Sequence, residues 1–154
     1  MKKFPSVIIS ALLVLSLAAC GGGQGEVKPF DPDADAKTLL EAQGVFSASM
    51  TAIDTEVACA LYGIDETTVT GCAAYGATAT SAEELAIFTF DSEDSAQAAL
   101  KQLGYRIEDR TEELRDYLPD ELPKLEGAVT QQRGASVLLL IAQDSQGWEK
   151  LLED

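Results

Sequence analysis

The stretch that most constrains the fold is Ser136-Val137-Leu138-Leu139-Leu140-Ile141-Ala142. It is almost continuously apolar and suits a strand. Without polar alternation such a strand has no face to offer water. It must lie centrally in a sheet or be covered on both faces.

The residues around it supply the rest of the sheet. Gly127 to Arg133 pairs with 135–142 as a hairpin around Gly134. Glu84 to Phe90, ELAIFTF, is a short apolar strand with two aromatic residues, and Thr68 to Thr78 is rich in Thr, Val, Ala and Tyr. Gly71 and Gly76 weaken that last strand or mark a bulge. The expectation is an α+β single domain with a mainly antiparallel four-stranded sheet, at about 68–78, 84–90, 127–133 and 135–142, covered on one face by helices.

The helices announce themselves by their ends. Asp91-Ser92-Glu93-Asp94 can accept hydrogen bonds from the first free amides of a helix, and its charge suits a helix N-terminus. A long helix at about 92–118 follows, burying Ala96, Leu100, Leu103, Ile107, Leu114 and Leu118. Its outer face, with Glu108, Asp109, Arg110, Glu112, Glu113 and Arg115, reads as solvated. Pro119 and Pro123 stop it. A short helix is expected over 36–43 with Leu39 and Leu40 inward and Gly44 as its stop. Another is expected over 49–61, with Ile53, Val57 and Leu61 at i, i+4, i+8 on the buried face and Gly63 ending it. Asp144 or Ser145 would cap a terminal helix packing Trp148, Leu151 and Leu152 inward.

The N-terminus carries a different message. Lys2 and Lys3 precede an apolar run from Val7 to Ala19 that ends in small residues. This layout reads as a secretory signal, 1–19. A run of about 13 residues, at roughly 1.5 Å per residue, is too short for a bilayer core of about 30 Å. Leu17-Ala18-Ala19-Cys20 then matches a lipoprotein box, in which the Cys20 thiol takes a diacylglyceryl group before cleavage. Two acyl chains suffice for stable anchoring, whereas one binds reversibly. Residues 20–33, opening with Gly21, Gly22, Gly23 and Gly25, read as a flexible acidic tether, and 34–154 as the globular domain.

Cleavage before Cys20 leaves 154 − 19 = 135 residues, enough for one core. It also removes two of eleven basic residues and none of 26 acidic ones, so the mature charge is 9 − 26 = −17. Such a charge argues against nucleic acid, which needs clustered Lys and Arg, and leaves solvation or basic partners as its use.

The sequence has no histidine, which removes Ser-His-Asp and Cys-His catalysis and histidine-ligated zinc. Cys59 and Cys72 do not form a Cys-x-x-Cys pair. Export permits a disulfide between them, closing a loop of about 14 residues for roughly 3 kcal/mol. Their apolar surroundings favour two separate buried thiols. Asp31, Asp33 and Asp35 imitate the start of a calcium loop, but Ala36 stands where Gly is needed and Ala42 where a bidentate Glu is needed. An acidic turn capping the next helix is the better reading, and no metal or cofactor motif emerges. The acid pairs Glu83–Glu84, Glu112–Glu113 and Asp120–Glu121 read as adjacent surface carboxylates, uninformative about a glycosidase-like site.

Several of these features occur together in a known family. The lipobox, Leu61-Tyr62-Gly63-Ile64-Asp65, the acidic turn before the strand ending at Phe90, the capped long helix closing on Tyr117-Leu118-Pro119, and Ala128-Val129 before Gly134 resemble the lipoproteins called domain of unknown function 4358, over residues 34–142. The resemblance implies a secreted lipoprotein of clostridial, Gram-positive-type bacteria. It brings no catalytic residues, and Cys59 and Cys72 fall outside its pattern. The function expected is a non-enzymatic binding or assembly domain on the outer face of the cell membrane, held there by the lipid on Cys20. Its partner would be an envelope protein or peptide bound through an exposed sheet edge. The alternatives are a small-ligand or cation-binding lipoprotein serving a transporter, and a hydrolase working with carboxylates alone.

Overall fold

A computed structural model describes residues 27–153. The segment 1–19 read as an export signal, Cys20 and the glycines read as a tether lie outside the described residues. Among the described residues, no helix is long and apolar enough to cross a membrane.

The chain forms one mixed α and β domain around a five-stranded antiparallel sheet in the order β1-β2-β3-β5-β4. The strands are β1 (Thr51–Ile53), β2 (Val69–Gly76), β3 (Glu84–Phe90), β4 (Val129–Arg133) and β5 (Ser136–Ile141). The apolar β5 lies between β3 and β4, and all six of its residues are buried. β2 slips in register between Val69 and Gly71, as a glycine-marked irregularity would. At Gly71 the reason is close approach, since a Cβ there would stand 2.7 Å from Thr89 Oγ1.

The helices are α1 (Pro32–Glu41), α2 (Thr55–Tyr62), α3 (Glu93–Arg115), α4 (Leu122–Glu126) and α5 (Trp148–Leu151). They cover both faces of the sheet, where the sequence led us to expect one. Val137, Leu139 and Ile141 of β5, with Ala86, Phe88 and Phe90 of β3, face α2, α3 and α4. Leu138 and Leu140, with Leu85 and Ile87, face α1 and α5. The period-two alternation of the pleat therefore divides one apolar run between two cores.

Phe30 belongs to the second core. It is 2% exposed, although the tether reading places it outside the fold. Its N–H donates to Ser136 Oγ at 2.8 Å, and its ring lies 6.1 Å from that of Trp148. Arg133 crosses both rings, 4.4 Å and 5.4 Å from their centroids. Asp31 then caps α1, accepting from the N–H groups of Asp33 and Ala34, and Asp35 accepts from Asp31 N–H. The three aspartates thus start a helix, with Leu39 in the core and Leu40 at its margin.

The segment 49–61 departs most from expectation. Thr51–Ile53 is a strand pairing with Ala74–Gly76, and the helix begins only after Asp54. α2 then buries Ala58, Cys59 and Tyr62 instead of Val57 and Leu61. The larger contact decides the rotation, because the Tyr62 ring packs edge-on against Phe88 at 5.9 Å. Gly63 ends α2 in the left-handed conformation, φ 66°, which its lack of a Cβ permits. Asp65 accepts from both Thr67 N–H and Thr67 Oγ1 and so starts a short 3-10 turn. The Leu61-to-Asp65 motif is therefore a helix stop and restart.

In α3, Ser92 is the cap, Ala96, Leu103 and Leu114 are buried, and Leu100 and Ile107 are partly buried. α5 is capped by Gly147 at φ 73° with no side-chain bond, not by Asp144 or Ser145. Ser145 Oγ donates instead to Gly127 O, and Asp144 accepts from Gln146 N–H. Trp148 is buried as expected, while Leu151 stays 37% exposed.

Candidate functional site

Two places gather the residues that could carry function: a set of enclosed ion pairs at one end of β3, and an apolar surface on α2 and α3.

The ion pairs overturn the reading of Glu83 and Glu84 as surface acids. Glu83 is 0% exposed. Its carboxylate accepts Ser47 N–H at 3.1 Å to each oxygen, Ser47 Oγ–H at 2.6 Å and Ala48 N–H at 2.8 Å, and it pairs with Lys124 Nζ at 3.1 Å. Lys124 Nζ also lies 2.9 Å from Glu121 Oε2, which accepts from Ala82 N–H and Ser81 Oγ. One ammonium thus joins the loop before β1, the loop before β3 and the start of α4. Burial pushes the Glu83 carboxyl up, but the bonds from Ser47, Ala48 and Lys124 outweigh it and leave it below the usual range. Glu121 is lowered in the same way, its burial outweighed by Ala82 N–H, Lys124 and Ser81. For Lys124, burial lowers and the two carboxylates raise, with a net rise.

Glu84, the next residue, turns to the other side. Arg106 meets it with two donors, Nε at 3.2 Å and Nη2, and Arg110 Nε lies 3.5 Å away without hydrogen-bond geometry. Arg110, assigned by sequence to the solvated face of α3, is therefore drawn inward, and its Nη1 reaches Glu113 at 2.7 Å. Tyr62 lies beneath Arg106, with the guanidinium carbon 5.9 Å from the ring centroid. Burial first, and the Glu84 carboxylate second, raise its phenol well above the usual range.

These contacts tie three segments of the chain together. A carboxylate acting as a general acid needs a raised pKa, and Glu83 and Glu121 are both lowered. Lys124 contacts two serine hydroxyls, Ser47 Oγ at 3.3 Å and Ser81 Oγ at 3.4 Å. A serine–lysine nucleophile pair needs a neutral amine to take the proton, whereas two carboxylates hold this one as ammonium. Among the described residues, no group of three His, Cys, Asp or Glu side chains is placed to hold a metal. Cys59 and Cys72 are free thiols. Burial raises both, Cys59 with help from Glu66 and Asp65, and Cys72 to about 11. A cleft of about 240 Å³ lies between Ile64, Phe90 and Ala99, and a larger one of about 520 Å³ between Pro29, Glu93 and Gly134.

The second place is a surface. Val57 and Leu61, which periodicity assigned to the core, are 56% and 39% exposed, and Tyr105 on the neighbouring α3 is 57% exposed. Leu61 and Tyr105 line one groove of about 200 Å³ between α2 and α3, with Gln102, Arg106 and Asp109. Leu61 also shares a cleft with Ile53 on its other side. Leu61 thus shares a cleft with Ile53 of β1 and another with Tyr105 of α3, and Val57 stands one turn before it on α2; these side chains make up an exposed band.

The sheet edges are less inviting than the sequence reading supposed. β1 has only three residues, and on β4 Gln132 folds its amide back to Glu93 O and Gly134 O. Sequence periodicity singled out Ile53, Val57 and Leu61 as the buried face of one helix, but Ile53 lies in β1 and the other two are exposed on α2. Nothing in that spacing distinguished an inward from an outward face.

Neither a curated protein nor a solved structure matches the chain. A family model does, over residues 43–142, a span that includes all five strands and leaves out α1 and α5. The chain belongs to the family described as domain of unknown function (DUF4358).

Proposed function

We propose that this protein is a lipoprotein anchored through Cys20, facing outward from the cell membrane, and that its domain binds another protein or a peptide without catalysing a reaction. The observation that carries the binding reading is the exposed band of Val57, Leu61 and Tyr105. A monomeric domain gains by burying side chains of this size, at roughly 25 cal/mol per Å² of apolar surface, so leaving three together in water favours a surface that is covered part of the time. The anchor reading rests on the basic, apolar and small-residue order of 1–19 ending at Leu17-Ala18-Ala19-Cys20.

Two measurements test these halves separately. Cys20→Ser should release the protein from the membrane fraction, and a variant that stays membrane-bound would remove the anchor. Crosslinking in its own cells, followed by capture of the full chain, should give protein adducts that diminish in a V57S/Y105S variant. Adducts indifferent to that change would place binding elsewhere or nowhere.

A further inference from the structure

The exposed band has a charge pattern that defines what can cover it. Nine basic residues follow Cys20 in the sequence. Four of them turn inward or across rings: Arg106 and Arg110 to Glu84, Lys124 to Glu83 and Glu121, and Arg133 over Phe30 and Trp148. The domain thus withdraws much of its positive charge from the surface and leaves carboxylates there. At the band itself, Asp54 and Glu56 are exposed on the first turn of α2 beside Val57, and Asp109 lines the groove one turn beyond Tyr105. Lys101, one turn before Tyr105, is the exposed cation on that side. Arg106 also lines the groove, but Glu84 neutralises it, so three carboxylates stand against the ammonium of Lys101 and the rim is negative.

We propose that the groove between α2 and α3 receives a basic amphipathic helix of another protein. Its apolar side chains would pack on Val57, Leu61 and Tyr105, and its Lys or Arg residues would face Asp54, Glu56 and Asp109. The inference rests on the protein-binding reading above and adds the chemistry of the partner. Two helices flanking a shallow channel, with Leu61 and Tyr105 on its walls, suit the helix-in-groove mode, in which anchors at i, i+3 or i+4 enter the channel and the rim charges fix the register. An acidic helix would bring like charges together, which costs affinity and slows encounter. The strong negative charge of the whole domain adds long-range attraction for the same class of partner.

The test uses the full chain in zwitterionic nanodiscs, with empty nanodiscs as the blank. The probes are three synthetic helical peptides sharing one leucine face and differing on the other, which carries Lys, Glu or Gln. The Lys peptide should bind, bind more weakly as salt rises, and lose at least about tenfold in affinity in a V57S/L61S/Y105S variant. E56Q/D109N should weaken it without changing the melting temperature. If the triple variant loses its fold, V57S/Y105S carries the same comparison, since these two side chains are the more exposed.

Equal binding of the Lys peptide to the triple variant would mean attraction by charge alone and would overturn the site. Preferential binding of the Glu or Gln peptide that still needs Val57 and Tyr105 would overturn the basic partner and leave the protein-binding reading intact. A dimer of this chain that the triple variant dissociates would make a second copy the occupant and also overturn the proposal. No peptide binding, together with crosslinked adducts indifferent to the band, would overturn both readings.

Discussion

Lys124 Nζ stands 3.1 Å from Glu83 Oε1, with the glutamate side chain fully enclosed and the lysine side chain one-tenth exposed. Glu121 completes a carboxylate–ammonium–carboxylate row around it. An enclosed pair of this kind adds little over a well-packed apolar substitute, but removing one partner strands the other. Lys124→Met should therefore cost about 3 kcal/mol in urea denaturation. E83Q/K124M should cost less than the two single changes added together. Simple additivity would show that the two groups do not depend on each other.

The same row predicts the acid limit of the fold. Glu83 and Glu121 titrate lower in the folded chain than unfolded, so they add stability that is full above the ordinary carboxylate value of about 4.3 and is lost as pH falls through their lowered values. Lys124 is raised, so its contribution is full below about 10.4 and is lost as pH rises through its raised value. Melting temperature should be level between those limits and fall below about pH 4, less steeply in E83Q/E121Q. Relief of the domain's negative charge acts in the opposite direction. A melting temperature that climbs steadily to pH 3 would show that repulsion governs acid stability and the enclosed row does not.

Both thiols should be slow to react in the folded domain. Burial raises Cys59 and takes Cys72 to about 11, so the thiolate is a small fraction at neutral pH. Intact mass after alkylation without reductant should show two adducts on Cys59 and Cys72 in denaturant and fewer when folded. If denatured protein takes up none at these positions, a bridge joins them.

The ring-and-guanidinium stack of Phe30, Arg133 and Trp148 closes the start of the domain onto its end. Arg133→Leu keeps the aliphatic bulk and loses the cation, and should cost about 1 kcal/mol. Trp148 is the sole tryptophan, so its emission reports on this corner alone. The emission should shift to the red in R133L at a lower urea concentration than in the parent. An unchanged midpoint would mean that the stack positions the rings without stabilising them.

Much of the architecture was legible in local chemistry. ELAIFTF ended where an Asp and Ser turn could cap a helix, and β3 and α3 meet at that turn. The long apolar run of β5 required a central place or cover on both sides, and it lies between β3 and β4 with both faces buried, although helices were expected on one face alone. Gly63 acts on its own neighbours, so the end of α2 could be read from sequence; the acidic turn at Asp31 was read as a cap, but the helix it starts begins at Pro32 and not at 36.

What depended on distant partners could not. Glu83 and Glu84 look like any pair of surface acids until Ser47, Lys124, Arg106 and Arg110 come from three other segments to surround them. The stripe Ile53-Val57-Leu61 has helical spacing, but spacing is the same whichever way a helix is rotated. Tyr62 against Phe88 sets that rotation, and β2's need for a ladder partner turns Thr51–Ile53 into a strand. Sequence alone determined the cap of α3, the end of α2 and the alternation of the long strands, because capping, turn conformation and pleat act within a few residues. Only tertiary structure decided which charges are enclosed and which apolar face meets water, because those outcomes follow from contacts between residues far apart in the chain.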